Sequence, residues 1–126
     1  MQRRPRAGLD QQLRPEAPGA AFDVLVNATA ASLQAAVPPL PTGTLAAGAL
    51  ALDMMYGAAA LPFLRWARAQ GAVARDGLGM LVEQAAEAWF VWMGTRPETF
   101  HVLTELRREV DAQAANSRSG EPGAAA

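Results

Sequence analysis

The sequence predicts an all-α fold, a small helical bundle or helical hairpin with about four helices and disordered ends. Three observations carry that prediction. Apolar residues recur at three- and four-residue steps through most of the chain. Prolines and glycines divide the pattern into helix-length pieces. Thr95-Arg-Pro-Glu98 supplies a helix-start signature ahead of the last apolar seam.

The first helix is placed at 22–36, where Phe22, Leu25, Val26, Thr29 and Leu33 share one face. Val37-Pro-Pro-Leu-Pro-Thr-Gly ends it, because successive prolines cannot continue a helix. Thr44 is placed to cap the second helix, 44–61, which is nearly all Ala, Leu, Met and Gly apart from Asp53 and Tyr56. Pro62 is expected to kink or end that pattern. A third stretch, 62–93, resumes through Phe63, Leu64, Trp66 and Ala67, with a break near 71–77 at Gly71 and Arg75-Asp76-Gly77. Beyond the break, Leu78, Leu81, Val82, Ala85, Ala86, Trp89, Phe90 and Met93 form a continuous apolar stripe. Gly94 suits the left-handed position after a helix end.

The last helix, 96–115, is predicted from a capping box at Thr95-Arg-Pro-Glu98, with Pro97 in the first turn. Phe100, Leu103, Leu106 and Val110 then make a narrow seam, flanked by Glu105, Arg107, Arg108, Glu109 and Asp111. Leu103, Leu106 and Val110 alternate steps of three and four, as coiled-coil contact positions do. The domain organisation that follows is a disordered basic arm over 1–20, a helical domain over 21–115 and a disordered tail over 116–126.

Composition narrows the function classes. Hydrophobic residues make up 51% of the chain but aromatics only 6%, so large core-forming side chains are scarce. A small chain with an alanine-rich core buries little surface, and it gains from a partner or from self-association. The net charge of −1 offers nothing global to nucleic acid, and no nucleic-acid partner is expected. Without cysteine there are no disulfides and no thiolate metal sites, which fits a reducing compartment. The N-terminal arginines are not followed by an apolar segment, so no secretory signal is read. The location expected is cytoplasmic, with granule or membrane association as variants.

No chemistry assembles from spacing. His101 is the single histidine, and the carboxylates are scattered. No phosphate-binding glycine loop is recognised, and no catalytic, cofactor-binding or metal residues are assigned. The expected interaction residues are Trp89, Phe90, Phe100, Leu103, Leu106 and Val110, on the two amphipathic helices. A homo-oligomer or a protein partner is the expected associate, with a hydrophobic granule surface or a membrane as further candidates.

The segment Gly94-Thr-Arg-Pro-Glu-Thr-Phe-His-Val-Leu-Thr-Glu-Leu-Arg-Arg-Glu-Val110 resembles phasin-like polyhydroxyalkanoate granule proteins and synthase accessory subunits. The resemblance implies an amphipathic helical protein that coats storage granules or binds their polymer synthase, with no catalytic residues. The leading expectation is therefore a non-catalytic association protein. One alternative is a small membrane-associated protein with 45–64 in or on the bilayer, although Asp53 there would be costly. Another is an α-helical ligand-binding or enzymatic domain with a pocket near Asp53 and Tyr56.

Overall fold

The structure is a computed structural model that describes residues 19–119. Residues 1–18 of the arm expected over 1–20, and residues 120–126 of the tail expected over 116–126, lie outside the described residues. The fold is α/β, which corrects the all-α prediction. Three strands, β1 (Phe22–Asn27), β2 (Leu45–Asp53) and β3 (Val73–Arg75), form a parallel sheet in the order β1-β2-β3. Helix α1 (Leu61–Ala69) lies between β2 and β3 in sequence, and α2 (Leu78–Met93) and α3 (Phe100–Ser119) follow the sheet.

The two helices expected over 22–36 and 44–61 are replaced by strands β1 and β2, each followed by a short 3-10 turn. From Val24 to Asn27 the burial of β1 alternates, with Leu25 and Asn27 turned towards the core and Val24 and Val26 exposed, as in a half-buried strand. A short 3-10 turn, Ala30–Gln34, follows it, capped by the Thr29 hydroxyl on the Ala31 N–H. In β2, Ala49, Ala51 and Asp53 are buried and Leu50 is exposed. Its register against β1 jumps, with Phe22 opposite Leu45 but Val24 opposite Leu50. Gly48 sits in the extra loop of backbone at φ +72°, a conformation that favours glycine. Thr44 caps no helix: its hydroxyl donates to the Pro41 carbonyl at 2.7 Å, just before β2 begins.

The region 62–93 is three elements. Pro62 starts α1 rather than ending a helix, because the first turn has no use for its missing N–H. Phe63, Leu64 and Ala67 of α1 pack on Ala49, Ala51 and Ala74 of the sheet to make the core. The alanines matter here, since small side chains bring helix and sheet close. Gly71, at φ +81°, closes the end of α1 and leads into β3. Helix α2 buries Leu78, Val82 and Ala86, and Gly94 takes the left-handed position after it, at φ +74°.

The capping box at Thr95 does not form. Helix α3 begins at Phe100, where the Glu98 carboxylate accepts from the N–H groups of Phe100 and His101. Pro97 therefore precedes the helix by three positions. Arg96 is drawn back onto α2, where it pairs with Glu83 and Glu87. Residues 95–99 form a non-helical connection between the two helices. At its other end α3 runs on through residues 116–119, which had been expected to begin the tail.

Candidate functional site

In an open parallel sheet the loops at the carboxyl ends of the strands are the usual ligand-binding edge. Here that edge comprises the Asn27-Ala28-Thr29 turn after β1, residues Met54–Tyr56 after β2, and Asp76-Gly77 after β3. A buried polar network ties the first two together. The Asp53 carboxylate is 0% exposed. One of its oxygens accepts from the Ser32 hydroxyl at 2.5 Å and the Asn27 side-chain amide at 3.3 Å. Its other oxygen accepts from the Met55 N–H at 2.9 Å. Asn27 in turn uses its carbonyl oxygen to accept from the Thr29 N–H and hydroxyl, at 3.1 and 2.7 Å. Every buried polar side-chain atom among the described residues finds a partner, as burial of such groups requires.

The third loop is locked by close packing. Gly77 donates its N–H to the Met55 carbonyl at 2.8 Å. A Cβ at this position would lie 2.1 Å from the Met54 carbonyl oxygen, so only glycine fits. The neighbouring Asp76 side chain, 7% exposed, takes a two-pronged contact from Arg107 of α3 at 2.6 and 2.7 Å and also accepts from the Leu78 N–H. Burial alone would raise the Asp76 pKa. The Arg107 and Leu78 hydrogen bonds together outweigh it and hold the carboxyl below its usual value, while Arg107 is raised. The start of α2 is thus pinned to β2 on one side and to α3 on the other.

The residues expected to mediate association are divided by the structure. Trp89 and Phe90 are exposed on the last turns of α2, and Phe100 is 69% exposed at the start of α3. Leu103, Leu106 and Val110 are half-buried. Leu106 joins Trp89, Val82, Pro97 and Val102 in lining an apolar groove of about 390 Å³ between α2 and α3. Val110 packs over Gly57. Tyr56 is exposed beside the buried Asp53, and His101 stacks edge-on against Phe100.

Sequence reasoning missed Asn27, Ser32, Gly77 and the Asp76–Arg107 pair. The helical reading of 22–36 hides the first two, whose signal is an apolar β-branched run ending in Asn-Ala-Thr, a strand followed by a side-chain-stabilised turn. Gly77 in sequence marks only a helix interruption.

Comparison with known proteins overturns the phasin resemblance and the non-catalytic reading. The family described as shikimate 5'-dehydrogenase C-terminal domain matches residues 77–103, beginning at the glycine packed on β2. The chain is 61% identical over 99 residues to the shikimate dehydrogenase (NADP(+)) of Acidovorax ebreus, an alignment covering 79% of this chain and 35% of that protein. With the shikimate dehydrogenase (NADP(+)) of Aromatoleum aromaticum it shares 55% over 108 residues, or 85% of this chain and 39% of the relative. Among solved structures, an Ael1 enzyme from Pseudomonas putida matches with a TM-score of 0.61 at 53% identity, covering 70% of this chain and 33% of that one. The shikimate 5-dehydrogenase of Thermus thermophilus, solved with shikimate, matches with a TM-score of 0.53 at 31% identity, over 77% of this chain and 34% of that one. The chain spans about a third of the length of the curated relatives it matches. None of these relatives is a granule-associated protein. Nor is the membrane alternative supported: 45–64 is a strand, a turn and a helix start, and no helix among the described residues is long and apolar enough to cross a membrane.

Proposed function

We propose that this chain is the C-terminal, coenzyme-binding part of a shikimate dehydrogenase that uses NADP. The observation that carries the reading is the 61% identity to a protein of that name over most of this chain, on a parallel sheet whose carboxyl edge is built and pinned. The enzymatic alternative near Asp53 thus fits better than association, although the domain is α/β.

The residues present fit one end of a dinucleotide. The loop after β2 offers Met54, Met55 and Tyr56, a largely apolar rim suited to a flat ring, and Gly77 lets backbone approach backbone beside it. The described residues contain no glycine-rich strand-turn-helix of the kind that cradles a pyrophosphate. That contact is assigned to the remaining two thirds of the enzyme. When bound, NADP supplies the hydride acceptor for oxidation of a secondary alcohol. Asn27, Asp53 and Gly77 fix the loops of the rim, and Tyr56 helps to exclude water from it. Asp53 and Asp76 are engaged in internal hydrogen bonds, so proton transfer to and from substrate also falls to the rest of the enzyme.

The uncovered surfaces agree with a partial unit. Parallel sheets are normally covered on both faces, whereas Val24, Val26, Leu50 and Val73 leave one face of this sheet exposed. In the complete enzyme we assign that face, and the exposed Trp89, Phe90 and Phe100, to contacts with the rest of the protein. A cytoplasmic location goes with this reading. The test is a chimera in which this chain replaces the matching third of the Acidovorax ebreus enzyme. It is expected to reduce NADP+ in the presence of shikimate, and a folded chimera without that activity would contradict the assignment.

A further inference from the structure

Asp53 is the one fully buried ionisable side chain among the described residues. It faces α1 alongside Ala49 and Ala51, where an apolar residue would be easier to bury, since a carboxylate in such a place must be matched by donors. What the carboxylate achieves, and an apolar side chain could not, is to hold three separate segments at once. Its donors are Asn27 at the end of β1, Ser32 in the turn that follows, and the Met55 N–H after β2. Asn27 passes the constraint on to Thr29 through two further hydrogen bonds. One carboxylate therefore sets the relative position of both loops, Ala28–Thr29 and Met54–Tyr56, that form the rim on the β1 and β2 side.

We infer that Asp53 is a positioning residue for coenzyme binding, acting through Asn27, Ser32 and the Met55 amide and touching no ligand itself. The inference rests on the proposed coenzyme-binding role of the chain and names the group that shapes its rim. Asparagine at position 53 can keep the Met55 N–H bond but turns an amide donor towards Ser32 and Asn27. The two loops then lose their common anchor while the size of the side chain is preserved.

The experiment uses the chimera with the Acidovorax ebreus enzyme, measuring KM for NADP+ and kcat separately for the parent, Asp53→Asn and Ser32→Ala. A mis-shaped rim is expected to raise KM for NADP+ roughly tenfold in Asp53→Asn, about the effect of one hydrogen bond to a charged group, with kcat within about twofold of the parent. Ser32→Ala, which removes one donor without adding a misplaced one, is expected to raise KM in the same sense but less, and it carries the test if Asp53→Asn does not fold. A purely structural role would lower the folded fraction, so kcat per total protein would fall with KM unchanged. That outcome, or unchanged constants in both variants, overturns the inference while leaving the coenzyme-binding reading intact. A folded parent chimera without activity overturns both.

Discussion

Asp76 and Arg107 show how a single pair can orient the loop after β3. The carboxylate is nearly buried between β3 and α2, and the guanidinium reaches it from α3, 31 positions away in sequence. Because the folded-state pKa of Asp76 is lowered from 3.8, the stability it contributes is fully present above that value and is lost as pH falls through the lowered one. Replacing Arg107 with Met removes the largest of the influences that lower the Asp76 pKa, so burial is opposed only by the backbone N–H groups of Leu78 and Gly57 and the pKa rises from its position in the parent. The variant should therefore lose stability at neutral pH, by about 1–3 kcal/mol for a buried group left short of a partner, and its acid unfolding should move to higher pH. Urea unfolding across the acid range checks both, and an unchanged pH midpoint would contradict the account. At Gly77 the constraint is steric, since a methyl group would meet the Met54 carbonyl at 2.1 Å. Gly77→Ala must push the β3–α2 turn away from β2 and should lower the thermal midpoint, at a cost of about 1–3 kcal/mol, as overpacking does. None of these partnerships has a signature in sequence, because each joins residues that only the fold brings together.

At the scale of elements, the helices after residue 61 were legible and the strands were not. Helix α2 announces itself by its stripe and by Gly94, and both appear where expected. Strand β2 is Leu-Ala-Ala-Gly-Ala-Leu-Ala-Leu-Asp, a short apolar run that periodicity alone cannot tell from a buried helix. Its alanines favour a helix in isolation, and tertiary pairing with β1 and β3 overrides that preference. Flanking signals pointed the other way: β-branched Val24 and Val26 in β1, and the prolines at 38, 39 and 41 confining the run. Once the strands form, α1 can cover only one face of the sheet, and Phe63 is the large side chain that fills the interface. Phe63→Ala should cost about 3–5 kcal/mol, the range for removing a buried ring. In a unit of this size such a loss approaches the whole stability. Loss of a cooperative thermal transition would agree, and a shift of only a few degrees would show that the core lies elsewhere.

Across the whole molecule, thin core and exposed apolar surface are two views of the same fact. The low aromatic content predicts a chain that buries little by itself, and among the described residues the sheet face with Val24, Val26, Leu50 and Val73 and the aromatics of α2 and α3 are exposed. In sequence such a surface looks like that of an association protein, because no catalytic constellation assembles from residue spacing. On the proposed reading, a share of a binding edge leaves little trace, since the phosphate-binding loop and the proton-transfer groups are assigned to another part of the enzyme. The measurement that tests this most directly is shikimate-dependent NADP+ reduction by the chimera carrying this chain in the Acidovorax ebreus enzyme. The account predicts a kcat/KM within about tenfold of the unmodified relative, a difference of about 1.4 kcal/mol in transition-state stabilisation. A correctly folded chimera with no NADP+ reduction above background would contradict it.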